Sequence, residues 1–367
     1  MTTMALKIAI QPDEVVHRNG EKQSFSDRWF QLAKERGVDA VAVDVFSEDV
    51  IAQIASCDAF MWRCDPSALP RLYAKRLLYA VEAGMGLPVF PNLKSSWHFE
   101  DKVGQYYFLS AAGIPTPATR IFWKREQAER YCEAAEYPFV LKLSAGYQAS
   151  NVRLVRNREE ALFYVDQLFT YGVTGLGYRP TSRPRQLLRH LRAAVTVAKG
   201  HHPYAPTEQT ELQHGYFFAQ EFLPGNEFDV RITVIGNRAF VFRRLNRPDD
   251  FRASGSGRID WNPQEIGEEL VRFAFNVARK LDAQTIAVDI LRRGIEPVIV
   301  ELTLSYASWA VRDCPGHWTL HGNPETGDLK WLDGSMRPED AIFTDFVTPL
   351  LEAWQKLDPP ARAAVCT

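Results

Sequence analysis

The order of apolar periodicities predicts an α/β protein assembled from mixed α+β lobes. Three observations carry that expectation. A β-α-β alternation fills the first 95 residues, and two later groups of strand-length apolar runs are separated by amphipathic stretches. The composition, 46% hydrophobic and 24% charged, is that of a chain able to bury a sizeable core. At 367 residues the chain exceeds one ordinary domain, so two or three lobes are expected.

The N-terminal lobe is expected over 1–95. ALKIAIQ and DAVAVDVF (39–46) have the length and alternation of strands, and SFSDRWFQLAKERG between them opens on a Ser cap and stops at Gly37. CDAFMWR reads as a third strand and LYAKRLLYAVEAG as a helix closing on glycine. A central lobe over 96–215 follows. SSWHFEDKVGQYYFLSAAGIPTP reads as an amphipathic helix ending at Gly113, and ATRIFW, PFVLKLS and NVRLV as strands. Over 170–215 the periodicity loosens and Arg, Gly and Pro accumulate, which predicts a basic insertion with a short helix near 184–198.

The C-terminal lobe is expected over 216–367. YFFAQEFLPG, FDVRITVIG and RAFVFRRLN read as strands with hairpin-type turns at Gly225-Asn226 and Gly236-Asn237. A helix over 264–282 and a hairpin over 287–303, turning at Gly294, complete it. The remaining residues, with Trp309, Trp318, Trp331 and Trp354, read as a wrap over this lobe.

The formal net charge is −2, from 43 basic and 45 acidic residues, which argues against nucleic acid or a membrane surface as a partner of the whole chain. Cys57, Cys64, Cys132, Cys314 and Cys366 form no CxxC pair, and the histidines are dispersed. With no leader-like start and no apolar run of the ~20 residues a membrane span needs, a cytoplasmic protein is expected. The oligomeric state stays open, a homodimer included.

Asp289 and Glu301 fall on neighbouring strands of the last hairpin, each flanked by apolar residues. Such acids either face solvent or line a cleft floor, and opposed carboxylates repel unless a cation stands between them. Pairs of this kind hold Mg²⁺ against substrate phosphates. Lys142 lies inside the apolar run PFVLKLS, where a charge is costly without a partner. The small-residue turn after it could bring backbone N–H groups to phosphate oxygens or be a plain β-turn. Lys102 opens a helix and, alone, reads as a solvated lysine.

The sequence of these features, followed by QEFLPGNEFDVR, FRRLNRPDDFRASGSG and the two acids, resembles the ATP-grasp superfamily over residues 95–305. That superfamily holds carboxylate–amine/thiol ligases, D-alanine–D-alanine ligase and ribosomal-S6-type glutamate ligases among them. SFSDRW, WHFEDKVGQ, FRASGSG and CPGHW are similar to phrases of an ATP-grasp subgroup found among polysaccharide-biosynthesis proteins.

The resemblance implies an ATP-grasp fold with ATP between the central and C-terminal lobes. Lys102 and Lys142 become the phosphate lysines, and 144–150, with Ser144, Gly146 and Ser150, the lid over them. Gln220, Glu221, Phe222 and Leu223 match the hinge that meets adenine, and Glu227 the acid that accepts from the ribose hydroxyls. Asp289 and Glu301 match the Mg²⁺ pair. Where many relatives have Glu-x-Asn, this chain has Glu301-Leu302-Thr303, so a third oxygen would come from the Thr303 hydroxyl.

The implied activity is ADP-producing ligation of a small-molecule carboxylate to an amine through an acyl phosphate. Arg231, Arg243 or Arg244, Arg252 and Ser254 would surround the transferred phosphoryl group, because guanidinium groups suit bidentate phosphate contacts. Solvated loop arginines are the alternative. No residue stands out as a base for the amine, and Asp249 and Asp250 read as turn formers. The basic insertion suits an acidic substrate such as a uronic-acid saccharide; RNA is disfavoured because only Tyr178 and Tyr204 offer stacking there. The fold also hosts kinases, so a hydroxyl acceptor is one rival and a non-catalytic nucleotide-binding protein another.

Overall fold

The computed structural model describes residues 5–13, 16–18, 21–146, 151–176, 195 and 210–356. Its first lobe runs β1 (Lys7–Gln11), β2 (Val16–Arg18), β3 (Glu21–Gln23), α1 (Phe25–Glu35), β4 (Asp39–Ala42), α2 (Val50–Ala55), β5 (Ala59–Trp62), α3 (Ala68–Tyr79) and β6 (Val89–Phe90). Strands β4-β1-β5-β6 form a parallel sheet, as the β-α-β alternation requires. Ser24 caps α1 by accepting from the Asp27 amide, and the chain leaves that helix through Gly37 at φ +67°.

The second lobe comprises α4 (Leu93–Ser96), α5 (Lys102–Ala111), β7 (Thr119–Phe122), α6 (Arg125–Ala134), β8 (Phe139–Lys142), β9 (Val152–Val155), α7 (Arg158–Thr170) and β10 (Phe217–Glu221). Its antiparallel sheet has the order β7-β10-β8-β9. Residues of α6 and α7 share one core with Leu141, Val155, Phe217 and Ala219 on a face of that sheet. Strand β10 therefore belongs to the central lobe and not to the C-terminal one. Gly225-Asn226 links two sheets instead of closing a hairpin, because the neighbours of β10 are β7 and β8. The helix expected near 184–198, like most of the insertion, lies outside the described residues.

The third lobe holds β11 (Phe228–Ile235), β12 (Arg238–Leu245), β13 (Ile259–Asp260), α8 (Glu268–Leu281), β14 (Thr285–Arg293), β15 (Glu296–Thr303), α9 (Ser308–Arg312), β16 (Gly316–His321), β17 (Asp328–Asp333) and α10 (Pro338–Lys356). Its antiparallel sheet runs β15-β14-β11-β12-β16-β17, with β13 on β12. Gly236-Asn237 closes the β11–β12 hairpin with Gly236 at φ +56°. Alternation sends Ile232, Val234, Val241 and Val288 to the α8 side. It sends Ile235, Phe240, Phe242 and Ala287 to a core shared with Ile8, Trp29 and Phe343. Both faces of this sheet are thus covered, one by α8 and the other by the first lobe with α10.

The C-terminal residues do more than wrap their own lobe. Strands β16 and β17 widen the sheet, with Trp318 and Trp331 edge to face across the pair. Helix α10 crosses to α1, where Arg28 grips Asp340 through two hydrogen bonds of 2.6 and 2.8 Å. Arg36 donates to Thr344 and Thr348, and the Trp29 indole N–H to the Glu339 carbonyl. The four cysteines among the described residues are free and buried. No helix among those residues is long and apolar enough to cross a membrane.

Candidate functional site

Helix α5 sets the first lysine. Asp101 caps it by accepting from the Gly104 amide (3.0 Å) and from Ser144 Oγ (2.6 Å). One turn further on, Gln105 brackets the Leu302 main chain of β15, donating at 2.8 Å and accepting at 3.1 Å. This register brings buried Lys102 Nζ to Glu301 (2.9 Å) and to the Gly146 carbonyl (2.8 Å). Gly146 stands at φ +126°, and a Cβ there would lie 2.3 Å from Asn151 Nδ2, so only glycine fits. Ser144 donates its amide to the Tyr216 hydroxyl (2.7 Å). Ser150 lies outside the described residues.

Lys142, at the end of β8, is also buried, and its Nζ donates to the Val300 carbonyl at 3.0 Å. That carbonyl is free because the β14–β15 ladder slips: Asp289 faces Glu301 but Ile290 faces Ile299, leaving Val300 as the extra residue of a bulge. Burial pushes the Lys142 amine down to about 8, against the attraction of Glu301.

A cleft of about 130 Å³ opens between the central and C-terminal sheets, lined by Val140, Lys142, the 220–223 segment, Asp289 and Leu291. The hinge is held from several sides. Gln220 donates to Thr119 Oγ1 (2.8 Å), and Glu221 accepts from the Ala118 amide (2.9 Å) and from Arg293 (2.8 Å). Asn226 donates to the carbonyls of Leu223 and Arg292. Glu227 is exposed and does not line the cleft, whereas Asn226, Asp229 and Asn246 do.

Asp289 and Glu301 are direct register partners, as expected for the hairpin. The repulsion between them is relieved by the protein's own cations. Arg231 meets Asp289 in a fork of 2.7 and 2.8 Å. Arg244 forks onto Asp229 (2.7 and 2.6 Å) and adds a bond to Asp289 (2.6 Å). Burial alone would raise the Asp289 carboxyl, but attraction by Arg231 and Arg244 overrides it and holds the group down at about 2. Of the pair Arg243 and Arg244, alternation sends Arg243 to the far side, against Asp260 and Glu265.

The residues implied for Mg²⁺ offer hard oxygens of the right kind. Asp289 has both oxygens engaged by guanidinium groups, Glu301 has Lys102, and the Thr303 hydroxyl contacts Glu100 (3.3 Å) and the Ser305 amide (3.1 Å). Among the described residues no three His, Cys, Asp or Glu side chains are grouped to hold a metal ion. Such a set fits a cation that takes one or two carboxylates from protein and the rest of its shell from phosphate and water.

Next to the cleft lies a chamber of about 550 Å³, lined by Phe25, Arg63, Arg231, the 254–257 turn, Tyr306 and Trp309 among others. Cleft and chamber have Arg244, Ala253, Ser254 and Glu301 in common. Arg252 stands on the cleft wall, held by Asp250 (2.6 Å) and near the Val152 carbonyl (3.4 Å). Asp249, at φ +57°, and Asp250 build the turn, as the sequence suggests. Several charged chamber residues escape the sequence reading, Asp13, Arg63, Asp65 and Glu100 among them; Glu100 is buried, at φ +50°, with Oε2 lacking any hydrogen-bond partner. Burial pushes its carboxyl up to about 7, with Lys102 pulling the other way. Two consecutive acids, Glu100 and Asp101, precede α5, and Asp101 is the one that caps it.

No protein-family model matches the chain. Solved structures share its architecture. A RimK-domain ATP-grasp protein from Sphaerobacter thermophilus is 19% identical and superposes with a TM-score of 0.50, covering 84% of this chain and 95% of that one. D-alanine–D-alanine ligase from Bacillus anthracis, complexed with ATP, is 14% identical with a TM-score of 0.51 and coverage of 82% and 86%. N5-carboxyaminoimidazole synthase from Aspergillus clavatus, in complex with ADP, is 12% identical with a TM-score of 0.51 and coverage of 98% and 79%. The chain has the ATP-grasp fold.

Proposed function

We propose that the protein is an ATP-dependent ligase that joins a carboxylic acid to an amine through an acyl phosphate. The observation that carries this reading is the meeting of two cavities of different character at Arg244, Ser254 and Glu301. ATP occupies the narrow cleft, adenine against the 220–223 hinge and phosphates toward Lys102 and Lys142. The acid occupies the chamber, so its carboxylate and the γ-phosphate meet at the common wall. The D-alanine–D-alanine ligase of this fold, solved with ATP, supports the nucleotide assignment.

Phosphoryl transfer asks the protein for in-line placement and charge neutralisation, not for a nucleophile. A carboxylate oxygen of the acid attacks the γ-phosphorus and ADP leaves. Arg231 and Arg244 face the chamber and balance the negative charge of the transferred group, while Arg252 and the Ser254 turn close on it from the cleft side. Asp289 and Glu301, with Thr303 beside them, would hold Mg²⁺, which when bound neutralises part of the triphosphate charge. The amine then attacks the acyl carbon and phosphate leaves, forming the amide.

The arginines of the 179–192 segment favour an acid with further negative charge, such as an acidic sugar. Free buried thiols support a cytoplasmic setting. The decisive experiment is a screen of acid–amine pairs for ATP-dependent phosphate release, with Glu301→Gln as control. Release that needs both partners and falls at least 100-fold in the variant supports the ligase. ADP formed with an alcohol alone would make the protein a kinase, and calorimetry showing no adenine-nucleotide binding would remove both.

A further inference from the structure

We infer that Glu100 is the docking residue for the incoming amine; the inference rests on the ligase reading above and adds the subsite for its second substrate. The chamber wall carries both signs of charge. The sheet presents the guanidinium groups of Arg231 and Arg244, suited to the carboxylate and phosphoryl group, and the first lobe adds Arg63. The acids of the wall are Asp13, Asp65, Glu100 and, on the same sheet as the arginines, Glu301.

Three of those acids are already engaged. Asp13 accepts from Ser24 Oγ (2.7 Å), Ser26 Oγ (2.6 Å) and the amides of Phe25 (3.1 Å) and Ser26 (2.9 Å). Asp65 accepts from the Ser67 amide (2.7 Å) and the Ser67 hydroxyl. Glu301 pairs with Lys102. Glu100 differs: Oε1 accepts from Thr303 Oγ1 at 3.3 Å, while Oε2 has no hydrogen-bond partner in a residue only 4% exposed. A buried carboxylate oxygen without a donor is unfavourable, and a turn of the Glu100 side chain that brings Oε2 to a ligand donor in the chamber it lines removes the penalty.

The position suits an amine and the backbone is fixed. Glu100 contacts Thr303, two residues from Glu301 in the wall common to cleft and chamber, so a group held there lies beside the place where the acyl phosphate forms. The main chain at Glu100 takes a left-handed conformation that non-glycine residues seldom adopt. Arg71 on α3 holds it there by donating Nη1 to the Glu100 carbonyl (3.3 Å), and the Asp101 cap fixes the next residue. An N–H of a primary amine, neutral or protonated, supplies the donor that Oε2 lacks.

The two half-reactions separate the claim from its alternatives. With an acid–amine pair active in the phosphate-release screen, Glu100→Gln is expected to raise KM for the amine by about tenfold or more, the loss of one charge-assisted hydrogen bond. KM for ATP and for the acid should stay within about twofold of wild type on that same principle, because neither touches Oε2. Hydroxylamine replaces the amine in a parallel assay, and hydroxamate formation from acid and ATP should survive the substitution. Glu100→Asp, which keeps the charge, should recover part of the amine affinity and serves as the folded comparator if the glutamine variant does not fold. Unchanged amine KM in both variants, or loss of hydroxamate formation in folded protein, overturns the assignment. Phosphate release from no pair, with wild-type protein that ignores nucleotide, brings down the ligase reading beneath it.

Discussion

Lys142 should make nucleotide binding depend on pH in a defined sense. Burial holds its amine down to about 8, against an ordinary lysine near 10.5. A triphosphate alongside favours the charged form, so the complex keeps the proton over a range in which the free protein loses it. Affinity is therefore full below pH 8 and falls as pH rises above it. At pH 9 about one free molecule in eleven carries the charge, so affinity should drop about tenfold between pH 7 and pH 9, or about 1.4 kcal/mol. Calorimetric titration with a non-hydrolysable ATP analogue, in buffers of different ionisation enthalpy, should show uptake of about half a proton at pH 8. Lys142→Met, close in volume, should bind more weakly and lose both the pH slope and the uptake. Affinity that is flat from pH 7 to pH 9, or a slope that persists in the methionine variant, refutes the reasoning.

Other substitutions separate structural charge from catalytic charge. Asp289→Asn removes a counter-ion common to Arg231 and Arg244, and breaking a buried network of this kind costs about 3–5 kcal/mol. Urea unfolding should move to a lower midpoint, and pairing the change with Arg231→Met should recover part of the loss. Arg252→Ala should leave the melting temperature nearly unchanged, because its pair with Asp250 is partly exposed and contributes under about 1 kcal/mol. Phosphate release should nevertheless fall at least tenfold; activity equal to wild type would remove Arg252 from the phosphoryl site.

Much of the architecture was legible because local patterns and tertiary placement agree. Ser24, Gly37, Gly113 and Gly236 punctuate elements where the structure ends or turns them, and the 287–303 hairpin places Asp289 opposite Glu301. Strand β10 was misplaced for a physical reason. A Gly-Asn pair signals a tight turn, but the strands it connects are chosen by distant pairing, here β7 and β8. Helix α6 went unread because REQAERYCEA contains little apolar surface and is held mainly by Ala128 and Cys132 against the central core.

At the site, the charge types could be read and their pairing could not. A run FRRLN leaves open which arginine looks inward; the register of β12 selects Arg244. Lys102, read alone, looks like a surface lysine, and only the docking of α5 on β15 buries it. Each acid meets protein cations of its own, Asp289 the guanidinium groups of Arg231 and Arg244 and Glu301 the Lys102 amine, and no local pattern announces these pairs. The missing partner of Glu100 Oε2 is a property of three-dimensional surroundings that no local motif encodes.

The bond between α1 and α10 joins residues 308 to 312 positions apart. During synthesis the first lobe leaves the ribosome with the Trp29 side of α1 uncovered and waits for α10 before that flank can be sealed. Damage that removes α10, which carries no catalytic candidate, strips the cover from Trp29 in the first lobe and gives proteases and chaperones a handle there.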